Sequence, residues 1–192
     1  MDVVLATRNE GKLREMQRLF EPLGLTLISQ ASLDIESADE TRTTFLENAL
    51  DKARHVSALT GKPCIADDSG LVVRALGGAP GIYSARFAGP DATDAANNAR
   101  LIAALADEED RSAHFYCAMV YLDHAEHPAP LVATARWNGE IVDTPRGENG
   151  FGYDPHFLVA GLEQTSAELT PERKNTLSHR GQASRALLAL LQ

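Results

Sequence analysis

Basic residues are scarce in this sequence. Lys and Arg total 18 against 27 Asp and Glu, a formal net charge of −9 over 192 residues. That deficit excludes non-specific binding to nucleic acid or to an anionic membrane surface, since both need a basic footprint. A small anionic ligand needs only a local basic cluster and stays open. Cysteine is nearly missing. Cys64 and Cys117 each sit in an apolar run, without metal or redox spacing, and are read as reduced core thiols. No apolar run approaches the roughly 18 residues of a membrane-spanning helix. The start, MDVVLATRNEGK, has neither the basic nor the apolar region of a signal peptide. A cytoplasmic protein is therefore expected. Internal repeats, low-complexity segments and linkers are not found, so the chain reads as one domain over residues 1–192, with room for two lobes.

The residues that are present suffice for a core: 44% are hydrophobic and 23% charged, which argues against disorder. DVVLA (2–6) reads as a buried strand, followed by a polar turn, TRNEGK, and an amphipathic helix over 13–24. LTLIS (25–29) is a second strand. Residues 42–60 form a long helix with Phe45, Ala49, Ala53 and Val56 on one face, closed by Gly61. PCIAD (63–67) and GLVVRAL (70–76) read as two strands. The Gly-rich GGAPGIYSARFAG cannot be regular helix. A helix is expected over 91–107. Two long runs, 113–123 and 129–139, flank HAEHP as an antiparallel hairpin. The chain then enters a Gly-punctuated loop. Thr170 and Pro171 start one helix, and Ser178 caps another. Helices and strands alternate and then strands cluster, which points to a mixed sheet flanked by helices.

Several stretches carry chemistry. TRNEGK lies between a strand and a helix, where unpaired N–H groups and the positive dipole end attract anions. It lacks the Walker spacing, and an ordinary strand–turn–helix junction fits equally. Asn48, Lys52 and His55 share a helix face, which is either a solvated stripe or one wall of a site. In CIADDSG, Asp67 and Asp68 stand where a strand is expected to end, so they point to opposite faces. Two adjacent carboxylates repel unless cations or donors offset them. One reading makes them turn residues. Another sets a hard cation such as Mg²⁺ between a carboxylate and phosphate oxygens, with Asp39 or Glu40 as a second acid. In GFGYDP, Phe151 and Tyr153 are either a local core plug or faces for a base. His179 and Arg180 put positive charge at a helix N-terminus against the dipole, a broken local rule of the kind found at functional sites.

Together LATRNEGK, TFLENALDKARH, IADDSGLVVRALGGAPGIYSARFAG, GFGYDPHF and ELTPERKNTLSHRGQA resemble, in order and over residues 5–183, the non-canonical purine nucleoside triphosphate pyrophosphatases, in their bacterial branch. The resemblance implies an elongated α/β fold with a long bent mixed sheet, two lobes and a central active-site cleft. It also implies Mg²⁺, a homodimer, and cleavage of ITP, dITP or XTP to the monophosphate and pyrophosphate. By match, Thr7, Arg8, Asn9, Glu10, Gly11 and Lys12 would hold phosphates with Lys52 nearby, Arg8 standing where the family varies. Asp68 would be the general base and a metal ligand, and Glu40 the second ligand. Ser69 would touch the substrate. Phe151, Gly152, Tyr153, Asp154, Lys174, His179 and Arg180 would form the nucleoside pocket, with donors aimed at the purine O6.

Overall fold

The first strand, β1 (Asp2–Leu5), leads into helix α1 (Glu10–Phe20) and returns as β2 (Thr26–Ser29), which lies parallel to β1 with Leu5 opposite Ser29. We describe the fold from a computed structural model, which covers residues 2–21 and 24–192. The side chains of Glu10, Gly11, Arg14, Glu15 and Arg18 fall outside that description. Helix α2 (Phe45–Thr60) then carries the chain to β3 (Cys64–Val73), on the other side of β1. β3 is also parallel to β1, with Leu5 opposite Ile65. After α3 (Asp94–Ala104) come β4 (Ser112–Leu122), β5 (Leu131–Ile141), β6 (Phe157–Val159), α4 (Pro171–Leu177) and α5 (His179–Leu190). The sheet is open and six-stranded, in the order β2-β1-β3-β4-β5-β6, and β6 pairs antiparallel with β5. It is therefore mixed and flanked by helices, as expected.

The chain divides into two compact units. The first holds residues 1–68, 117–134 and 183–192, and the second residues 69–116 and 135–182. β3, β4, β5 and α5 supply residues to both. The core of the first includes Val4, Ala49, Ala53, Val56, Cys64, Ala66, Val120 and Leu122. Of the face of α2 that periodicity assigns inward, Ala49, Ala53 and Val56 are fully buried or nearly so, whereas Phe45, at the helix start, is only partly buried. Cys64 and Cys117 are fully buried and joined by no disulfide. Burial pushes the Cys64 thiol up to about 12, which keeps it protonated and inert. The second core gathers Leu71, Leu101, Phe115, Trp137, Tyr153, Phe157 and Leu169. A fully buried side chain such as Phe157 contributes about 1.5–3 kcal/mol by leaving water.

Several local expectations shift. Helix α1 starts at Glu10, three residues early, because the Asn9 side chain accepts a hydrogen bond from the Lys12 amide at 3.1 Å and caps it. It ends at Phe20, short of the expected residue 24. Helix α2 starts at Phe45, after the Thr44 hydroxyl, which accepts from the Glu47 amide at 3.2 Å. The two strands expected on either side of DDSG are one continuous strand. Asp67 and Asp68 thus sit in the middle of β3, where paired backbone continues past them.

Candidate active site

Parallel strands in an open sheet leave a crevice beyond their carboxyl ends, at the point where successive connections leave in opposite directions. Here α1 takes the chain to one side of β1 and α2 takes it to the other. The register of Leu5 with Ile65 then brings residues 7–12, just past the end of β1, level with Asp67 and Asp68 on β3. The Ala6 amide donates to the Ile65 carbonyl at 2.8 Å and locks this alignment.

The two carboxylates escape mutual repulsion by each taking its own lysine. The Lys12 ammonium donates to both Asp67 oxygens, at 3.2 and 3.1 Å. On the opposite face of β3, the Lys52 ammonium donates to Asp68 Oδ1 at 3.0 Å and to Glu40 Oε1 at 2.9 Å. The Asn48 amide donates to Asp68 Oδ2 at 3.2 Å. Asn48 and Lys52 are one turn apart on α2, so the polar stripe is one wall of the cluster. His55, the third member, turns to the Glu36 carbonyl instead, at 3.0 Å. Asp68 is 8% exposed. Burial raises its pKa above the ordinary 3.8, with Glu40 adding to the rise, against the pull of Lys52 and Asn48. For Lys52, burial is the largest influence and acts downward, but Asp68, Glu40 and Asp67 together outweigh it and hold the ammonium charged.

The TRNEGK turn lies beside this cluster. The Thr7 hydroxyl accepts from the Asn9 amide at 3.2 Å, and the Thr7 carbonyl accepts from the Ser29 hydroxyl at 3.1 Å. Arg8 and Asn9 are exposed. Glu10 and Gly11 open helix α1, and what their atoms beyond the backbone contact falls outside the description. Of the two candidate acids in SADET, Glu40 faces Lys52, whereas Asp39 is exposed. Among the described residues, no group of three or more His, Cys, Asp and Glu is arranged around a metal position.

In the second unit two of the expected nucleoside residues, Phe151 and Lys174, gather around a third, Asp154. This carboxylate is 2% exposed. It accepts from the Ser166 hydroxyl at 2.7 Å, the Phe151 amide at 2.9 Å and the Lys174 ammonium. Lys174 also lies over the Phe151 ring, 4.9 Å from its centroid. Phe151 itself is 55% exposed, so its ring presents a free face. Tyr153 is the core plug of the two alternatives: it is buried and donates to the Ser84 carbonyl at 2.7 Å. Gly150, with φ +81, has no room for a Cβ beside the Asp154 carboxylate. The His179 ring stacks on Phe115, with centroids 4.9 Å apart and planes 10° apart, and Arg180 donates to the Ser69 hydroxyl at 3.0 Å. Ser166, Asp94 and Asn98 join this cluster without having been singled out in the sequence. Asp94 and Asn98 accept from and donate to the backbone of Gly152. Their only local signal is an Asn doublet in an otherwise Ala-rich helix.

A family model described as the Ham1 family matches residues 3–190. The chain is 53% identical over 193 residues to a dITP/XTP pyrophosphatase of Ralstonia nicotianae, covering 99% of this chain and 96% of that protein. It is 55% identical over 192 residues to a dITP/XTP pyrophosphatase of Yersinia pseudotuberculosis, covering 99% and 98%. A solved HAM1 protein from Coxiella burnetii is similar with a TM-score of 0.95 and 47% identity, covering 100% of this chain and 98% of that one.

Proposed function

The chain belongs to the Ham1 family, and on that premise we propose that it hydrolyses dITP, ITP and XTP to the nucleoside monophosphate and pyrophosphate, removing deaminated purines from the nucleotide pool. The observation that carries the reading is the buried Asp68, held on one oxygen by Asn48 and on the other by a lysine it shares with Glu40. A carboxylate fixed this way, with its pKa raised by burial, is suited to accept a proton from water.

Residues 7–12, Lys12 and Lys52 are assigned to the triphosphate, and Ser69, Phe151–Asp154, Lys174, His179 and Arg180 to the nucleoside. The two units serve as lobes of a single catalytic domain. Water attacks the α-phosphorus, its proton passes to Asp68, and the bond from the α-phosphorus to the bridging oxygen breaks, so that pyrophosphate leaves. Lys12 and Lys52, released from their carboxylates as phosphate arrives, balance the added negative charge. Asp68 and Glu40 suit Mg²⁺ as the cofactor: their oxygens converge on one cation, the Lys52 ammonium, and both are hard donors. Mg²⁺ bound there supplies charge neutralisation at the phosphate oxygens. Two carboxylates leave coordination positions for water and the nucleotide, as Mg²⁺ prefers. The reading includes a homodimer and a cytoplasmic setting. Among the described residues no helix is long and apolar enough to cross a membrane.

A 6-oxo purine is selected by donors aimed at O6. A 6-amino group would meet them donor to donor and leave buried groups unpaired. The test is pyrophosphate release with Mg²⁺ from dITP, XTP, dATP and dGTP at equal concentration. Fast release from dITP and XTP and little from dATP is expected; dGTP keeps the 6-oxo group and adds a 2-amino group, so its rate reads discrimination at position 2 separately. Equal release from all four would remove the selectivity argument, and release of orthophosphate would move the cleavage site.

A further inference from the structure

Helix α3 contributes nothing to the reaction described above, yet its polar face grips the loop that carries Phe151 and Asp154. The Asp94 carboxylate accepts from the Gly152 amide at 2.7 Å, and the Asn98 amide donates to the Gly152 carbonyl at 2.8 Å. Both backbone groups of one residue are thus held from positions i and i+4 of one helix. A single bond would let the loop pivot about the Gly152 Cα. Two bonds on opposite sides of that atom fix both flanking peptides, and with them Phe151 before it and Tyr153 after it. Gly152 has φ +62, a conformation that needs external support to stay unique. The residue before Asn98 does the same for the other Gly-rich loop. Asn97 accepts from the Ala88 amide at 2.8 Å and donates to the Ala85 carbonyl at 3.0 Å.

Two adjacent asparagines in mid-helix oppose helix propensity, because their side chains compete for backbone groups. Here Asn97 is 2% and Asn98 9% exposed, and both bond outward to loops rather than to their own helix. The sequence accepts a weaker helix in return for a fixed loop.

We propose that Asp94 and Asn98 are positioning residues for base selection: they touch no substrate and act by fixing Gly152, and so the exposed face of Phe151 and the carboxylate of Asp154. The proposal rests on the assignment of residues 151–154 to the nucleoside. Small displacements of positioning groups have large kinetic effects.

The test compares Asp94→Ala, Asp94→Asn, Asn98→Ala and Phe151→Ala in the full-length protein, with Mg²⁺. For each, kcat and KM are measured with dITP and dATP. Losing one bond to Gly152 should raise KM for dITP about tenfold and narrow the dITP/dATP ratio of kcat/KM, with kcat for dITP nearly unchanged. Asp94→Asn keeps an acceptor oxygen and should recover most of the loss. If Asp94→Ala and Asn98→Ala lower the melting midpoint but leave KM and the ratio at wild-type values, their role is structural and the inference fails. Asp94 is exposed, so its variants keep the test valid if Asn98→Ala does not fold. Phe151→Ala separates the two claims. If it leaves KM and the ratio unchanged, the assignment of this loop to the base is wrong. If it alters them while the α3 variants do not, only the positioning role is overturned.

Discussion

At the scale of single residues, the adjacent acids of CIADDSG are separated by the pleat of β3 and neutralised from two different helices. Asp67 goes to Lys12 on α1 and Asp68 to Lys52 on α2. This division of labour explains why two carboxylates tolerate adjacency: each accepts from a different lysine, on its own face of the strand. Asp68 also has a neutral donor, Asn48, and a second acid, Glu40, on the same lysine. Asp68→Asn keeps the shape and removes the base. It should lower kcat for dITP by about 10²–10⁴-fold while nucleotide binding, measured by calorimetry, stays within a few-fold of wild type. Near-normal turnover in that variant would displace Asp68 from the role of base.

At the scale of elements, α2 is the part that must hold its register, since it delivers Asn48 and Lys52 to one carboxylate from positions one turn apart. Its start is set by Thr44, whose hydroxyl accepts from the Glu47 amide at 3.2 Å and donates to the Glu47 carboxylate at 2.6 Å. Thr44→Ala is expected to cost about 1 kcal/mol, a drop of about 2–4 °C in Tm for a chain of this size, measured by thermal melting. Activity below the melting range should change little, because the cap sits a turn away from Asn48. A loss of activity much larger than the loss of stability would show that the helix start itself contacts the ligand. The other informative element is β3. Two apolar runs, PCIAD and GLVVRAL, read as two short strands, because the acids between them are poor strand formers. Their charges are matched by lysines from α1 and α2, so the backbone runs through the acids without a break.

At the scale of the whole molecule, stability depends on pH through groups remote from the chemistry. His114 on β4 has its pKa lowered below 6.5, first by burial and second by the charge of Arg136 on β5. Its neutral form is therefore the one the folded state prefers. That preference costs nothing above pH 6.5, where the unfolded chain is neutral as well. It weakens folding as pH falls below 6.5, where the unfolded chain takes up a proton more readily than the folded one. His114→Gln should lose less stability than wild type between about pH 7.5 and pH 5, read as the urea midpoint at each pH. The carboxylates that titrate in the same range are common to both proteins and cancel in the comparison.

The sequence by itself determined the elements whose signals are local. The amphipathic faces of α2, the caps at Thr170 and Ser178 and the strand–turn–helix opening are all written within a few residues of where they act. The Thr170 hydroxyl accepts from the Arg173 amide at 3.3 Å, and Ser178 from Gly181 at 3.2 Å. The motifs also named Asn48, Lys52 and Glu40 around Asp68 and Phe151 and Lys174 around Asp154, and the family to which they belong. Tertiary structure alone decided the pairings: Lys12 with Asp67 across 55 residues, Asn98 with Gly152 across 54, and Lys52 with Asp68 across 16. It also decided that Tyr153 is core while Phe151 is exposed, and that an Asn doublet in a plain helix holds two loops. Propensity and periodicity report energies between neighbours in the chain. Which charge is neutralised by which, and which backbone group is caught by a distant amide, depend on strand order and register, and those exist only once the sheet has formed.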